Sequence, residues 1–131
     1  MGQFDYTVEA LKKFDEAVAA VEARAKENGF SVLHVHDVKA TLCAQGFDRE
    51  PLKIIEICNA KSASQLLEKD VKISLMLPCP ISVYVEKGRT YISALRPRVV
   101  ADFYPGADIK AIAEEVGRAI VKIVDEAKKY Q

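Results

Sequence analysis

Residues 81–95 read ISVYVEKGRTYISAL. Apolar and polar residues alternate up to Glu86, and the alternation resumes after Arg89. Between the two runs sits Lys87-Gly88, a dipeptide suited to a two-residue hairpin turn. That turn pairs Glu86 with Arg89, Val85 with Thr90, Tyr84 with Tyr91, Val83 with Ile92, Ser82 with Ser93 and Ile81 with Ala94. One face then carries Ile81, Val83, Val85, Ile92 and Ala94. The other carries both tyrosines, both serines and a Glu86–Arg89 ion pair. A slip of one residue would mix the two faces. The pattern therefore specifies an antiparallel hairpin with one buried face and one open face.

Outward from the hairpin, the same reasoning finds the other elements. Upstream, Pro51 precedes LKIIEIC, a strand, and FSVLHVHD is a second strand ending at Asp37. Asp37 is the N-cap of a short helix, VKATLCAQ, which Gly46 stops; Asn59 caps another, AKSASQLLEK. Residues 4–7 read as a first strand. Thr7 then serves as N-cap of a long helix with the apolar stripe Leu11, Phe14, Val18, Val21 and Ala25, ended by Asn28-Gly29. Downstream, RPRVVADFYPGAD reads as a connection. A closing helix of about twenty residues carries the stripe Ile109, Ile112, Val116, Ile120, Ile123 and Ala127. Glu114–Arg118 and Asp125–Lys129 are i,i+4 pairs on its solvated face. The order is strand, long helix, four strands with two short helices inserted, long helix. One-sided patterning and a tight hairpin predict an α+β fold: a mainly antiparallel sheet with both long helices packed on one face.

Length and composition narrow the function classes. The 131 residues suit a single domain, with half of them apolar and 29% charged. Formal net charge is zero, so no global field gathers nucleic acid or anionic lipid. Arg89, Arg96 and Arg98 form a small basic group without interleaved aromatics for base stacking. No run approaches the length of a membrane span, and MGQFDYTVEA has neither the basic start nor the apolar stretch of a signal peptide. Three cysteines, Cys43, Cys58 and Cys79, fit no CxxC-type zinc spacing. An odd count without a secretion signal predicts free thiols and a cytoplasmic location. There is no Gly-rich phosphate loop, no GxSxG and no HExxH.

In order and spacing, DVKATL, KIIEICNA, LMLPC and YISALRP resemble the bacterial and archaeal family called domain of unknown function 302, over roughly residues 4 to 128. The resemblance implies a TATA-binding-protein-like fold, strand–helix–four strands–helix, and a homodimer. It implies no established activity and no particular cofactor. The family's signature thiols correspond to Cys58 in ICNA and Cys79 in LPCP. The chain departs from the family where Ala60 replaces a usual proline and Pro80 a usual polar or basic residue.

The candidate chemistry centres on those two thiols. Pro78 and Pro80 lack N–H groups, so the segment around Cys79 is extended and pairs fully on one edge only. By strand parity Cys79 shares the core face of Ile81 and Val83, whereas Cys58 shares the opposite face with Ile54 and Glu56. On opposite faces they form no disulfide; a bulge at Pro80 would reverse that assignment. Cys58 stands just before a helix start, where backbone N–H groups favour an anion. Asn59 beside it is an amide that either caps or binds. His34 and His36 lie two apart on a strand and face the same way, a partial metal site that needs further ligands such as Glu56 or Cys58. Tyr84 and Tyr91 on the open hairpin face suit a protein–protein contact. The leading expectation is a homodimer that binds a small sulfur-containing, haem-like or metal ligand near Cys58, Asn59 and Cys79. A thiol enzyme working through sulfur transfer or thiol exchange is one alternative. A structural or interaction module with inert cysteines is the other. Nucleic acid and membrane are not expected partners.

Overall fold

The alternating runs on either side of Lys87-Gly88 pair in the expected register, from Glu86↔Arg89 to Ile81↔Ala94. Lys87 (φ 53°) and Gly88 (φ 80°) both take left-handed backbone, as the turn twist requires. The computed structural model describes residues 4–129. These run β1 (Asp5–Ala10), α1 (Phe14–Glu27), β2 (Ser31–Asp37), α2 (Val38–Ala44), β3 (Leu52–Cys58), α3 (Ala60–Lys69), β4 (Cys79–Glu86), β5 (Arg89–Leu95), α4 (Arg98–Phe103) and α5 (Lys110–Lys128). The turns Val71–Met76 and Pro105–Ala107 are 3₁₀. The strands form one sheet in the order β1-β5-β4-β3-β2, and every neighbouring pair is antiparallel. β2 to β5 is a meander, and α1 carries the chain from one sheet edge to the other.

Both long helices lie on the face that the hairpin pattern marks as buried. Ala17, Val18, Val21 and Ala25 of α1, with Val116, Ile120, Ile123, Val124 and Ala127 of α5, pack on Ile55, Ile57, Ile81, Val83, Ile92 and Ala94. A second cluster, Leu66, Ile73, Val100 and Ile109, holds α3, the first 3₁₀ turn and α4 against the start of α5. The short helices begin at the expected caps. Asp37 Oδ1 accepts from the Ala40 N–H at 2.9 Å, and Asn59 Oδ1 from the Ser62 N–H at 3.0 Å.

Several expectations are corrected. The first strand extends to Ala10, because its partner β5 offers a continuous ladder from Asp5↔Leu95 to Ala10↔Thr90. Thr7 is therefore a strand residue, not a helix cap; its hydroxyl lies 2.8 Å from that of Ser93. Leu11 leaves the helical stripe and is exposed, and Lys13 holds the N-cap position of α1. The connection after β5 contains α4, whose Val99 and Val100 are buried. Arg89 pairs with Glu9 of β1 at 3.5 Å rather than with Glu86. On α5, Asp125 pairs with Lys128 at 3.6 Å and accepts a 2.6 Å bond from Tyr6 Oη.

Candidate functional site

Cys79 stands opposite Ile57 in the β3–β4 ladder, with Pro80 opposite Glu56 and no register shift. Pairing of β4 with β5 begins only at Ile81, so the donor-poor segment is paired on one side, as its prolines demand. Strand parity thus puts Cys79 on the helix-covered face, where it packs against the main core. Cys58 is the next residue after Ile57 and ends β3. Although the parities differ, both cysteines line one narrow cleft with Phe30, Leu66, Leu77 and Val116. Burial, with the charge of Cys58 as a lesser cause, pushes the Cys79 thiol up to about 11. At neutral pH Cys79 is a protonated, poorly nucleophilic thiol. The cleft volume is about 20 Å³, room for one water-sized group and far too little for a haem-like molecule.

Asn59 bonds at both ends of its amide. Its carbonyl oxygen caps α3, and its Nδ2 donates to the Gly29 carbonyl at 3.2 Å. It ties the α1–β2 connection to the start of α3, and a second N–H of the amide is left over. Cys43 is exposed, apart from this cleft, and its Sγ donates to Asp48 at 3.6 Å.

The two histidines project from β2 on the open face. Their ring centroids are 6.1 Å apart. His34 Nδ1 lies 3.8 Å from Glu56 Oε1, across the ladder as the His34↔Glu56 register requires. His36 Nε2 is 3.0 Å from Thr41 Oγ1 of α2. Among the described residues no three His, Cys, Asp or Glu side chains converge into a metal-binding group.

On the same open face Tyr84 and Tyr91 stack, with centroids 5.7 Å apart and planes at 25°. A hydroxyl chain crosses three strands beside them. Thr7 Oγ1 donates to the Asp5 carboxylate, so it must accept from Ser93, and Ser93 in turn accepts from Tyr84 Oη at 2.8 Å. The carboxylate fixes the direction of every proton in the chain.

A cavity much larger than the cysteine cleft lies elsewhere and was not legible in any motif. It is a groove of about 690 Å³ between the end of β5, the start of α4 and the middle of α5, with Tyr6 of β1 at one wall. Leu95, Pro97, Ala113, Gly117, Ile120 and Val121 supply apolar surface, and Arg96, Arg98, Arg118, Asp102 and Glu114 supply charge. Arg96 is held in place: its Nε donates to the Asp5 carbonyl at 3.0 Å, and its guanidinium lies 5.1 Å from the Tyr6 ring centroid. Tyr6 is held by Asp125, and that hydrogen bond raises its phenol above the usual range. The sequence signal that could have found this site is Gly117. A glycine inside a 19-residue helix costs about 1 kcal/mol relative to alanine. An added Cβ would meet Pro97 Cδ at an ordinary 3.7 Å, so packing alone does not call for it.

An antiparallel five-stranded sheet with both long helices packed on one face defines an α+β domain. The family model described as Domain of unknown function DUF302 matches residues 4–127, and the chain belongs to that family. Among solved structures it is similar to the crystal structure of an uncharacterized conserved protein DUF302 from Bacillus stearothermophilus. The identity is 29%, over 95% of this chain and 98% of that one, with a TM-score of 0.89. No curated protein matches the chain. Among the described residues no helix is long and apolar enough to cross a membrane.

Proposed function

We propose that this chain is a homodimeric domain that binds a small organic molecule, and that the molecule sits in the groove between β5, α4 and α5. The observation that carries the reading is the groove's size and lining. Its 690 Å³ falls within the range of ordinary ligand sites, roughly 300–1,000 Å³, which combine apolar walls with a few fixed polar groups. The cleft at Cys58 and Cys79 is too small for an organic ligand. Support for a dimer comes from the open sheet face, where the stacked tyrosines sit among half-buried Leu52, Ile54, Pro80 and Leu95. The partner is a second copy of this chain, whose zero formal charge sets up no net repulsion.

Native mass spectrometry of protein freshly purified from cells tests the ligand reading. The wild-type chain should retain a small organic adduct that Gly117→Leu, which fills the groove floor, has lost. A bare wild-type chain, or the same adduct on Gly117→Leu, would sink it.

One observation favours a second reading, thiol exchange at Cys58. The two thiols share a cleft, and Cys58 precedes a capped ten-residue helix. In this reading Cys58 is the attacking sulfur, because Cys79 holds its proton.

A further inference from the structure

We infer that the groove ligand is an organic monoanion with an apolar body, its anionic head held in the fork of Arg96. The inference rests on the groove reading above and names the class of ligand. Three arginines face two carboxylates in the lining, an excess of one positive charge. None of the three belongs to an ion pair among the described residues. Two pairs at helical i,i+4 spacing, Arg98–Asp102 and Glu114–Arg118, line the groove and stay open.

Arg96 differs from the other two. Arg98 and Arg118 are exposed, so solvent and salt screen them. Arg96 is half-buried, with its Nε spent on the Asp5 carbonyl and its plane set over Tyr6. Among the described residues its two Nη groups have no hydrogen-bond partner and remain for an incoming head. A guanidinium fixed in this way has lost its rotamer freedom before binding, and its fork matches a carboxylate or phosphate oxygen pair. Asp125, the other partner of Tyr6, is occupied by Tyr6 Oη and Lys128 Nζ.

The rest of the ligand follows from the floor. Leu95, Pro97, Ala113, Gly117 and Ile120 offer no polar side chain. A body without hydrogen-bonding groups loses nothing against these residues. Gly117 keeps that floor open at the centre of α5, opposite Pro97.

Isothermal titration of the full chain with octanoate, octan-1-ol and acetate tests the class. Octanoate carries both features, and the other two carry one each. Octanoate should bind about tenfold or more tightly than either, the scale of a charge-assisted pair. Its affinity should fall with added salt and fall about tenfold in Arg96→Gln, while octan-1-ol is unaffected by that substitution. Equal affinity for octanoate and octan-1-ol, or no binding of octanoate at all, overturns the anionic class. Should Arg96→Gln fail to fold, the octanoate-to-octanol ratio on the wild-type chain decides alone. Gly117→Leu separates the two levels. Octanol and octanoate bound equally, and both lost in Gly117→Leu, would leave the groove standing without the anion. Octanoate binding undiminished in Gly117→Leu would remove the groove itself.

Discussion

Cys79 is a cysteine whose chemistry its neighbours have nearly switched off. The prolines on either side hold it extended, Ile57 faces it across the ladder, and the core packs against it. Its folded thiol sits near 11 against an ordinary value of 9.0. Between those values the folded chain keeps a proton that the unfolded chain releases. The contribution to stability is therefore complete below about pH 9 and is lost as the pH rises through about 11. Thiolate absorbance should accordingly titrate later in the native protein than in urea. In the native state near neutral pH, iodoacetamide should modify Cys58 well before Cys79, as read by peptide mass spectrometry. Cys79→Ser should cost roughly 1–3 kcal/mol, because it places an unpaired hydroxyl against apolar groups. Cys58→Ser should cost less. Faster alkylation of Cys79 would contradict its burial and return it to the list of reactive thiols.

Elements were legible where local chemistry and tertiary packing point the same way. The hairpin is one such case, since alternation and turn agree on a single register. Asn59 is another, a cap by residue type and a cap in the structure. It also bonds the Gly29 carbonyl, so it joins two connections that no sequence pattern links. Asn59→Ala should therefore exceed an ordinary capping loss and fall in the upper part of the roughly 0.5–2 kcal/mol range. Urea unfolding of the variant against wild type measures it, and a loss of a few tenths would mean that the Gly29 bond contributes nothing. Legibility failed where the decisive partner is remote. Thr7 looks like a helix cap, yet β5 draws residues through Ala10 into the sheet, and only then does Leu11 fall outside the helix. Likewise Pro97 and Pro105 suggest a loop. Pro97 instead occupies the N-cap position of α4, and the second cluster gives that short helix something to pack against.

At the scale of the molecule the two faces of the sheet are unequal, and this inequality is the basis for the dimer proposed above. The long helices cover the centre of one face; the groove forms at the margin, from residues as distant in sequence as Tyr6, Arg96 and Arg118. That distance is why no motif announced it, and why Arg118 read only as a helical ion-pair partner. The other face keeps stacked tyrosines, aliphatic side chains from β3 and β5, charges of both signs in Glu9–Arg89, and the Glu56 carboxylate beside His34. Its hydroxyl chain orients the Tyr84 proton inward to Ser93. Tyr91 Oη has no such partner among the described residues and is left to bond outward. A twofold contact would place this face on its own copy, burying the aromatic centre and letting each rim meet the opposite signs of the other. Sedimentation equilibrium at micromolar concentration should then give twice the chain mass. Tyr84→Lys with Tyr91→Lys should give a folded monomer, since like charges at the centre of such a contact repel and are costly to desolvate. Groove binding of octanoate should survive in that monomer, because the groove and the open face share no lining residue except Leu95 at their common edge. A wild-type monomer, or a dimer unmoved by both lysines, would assign this face to solvent.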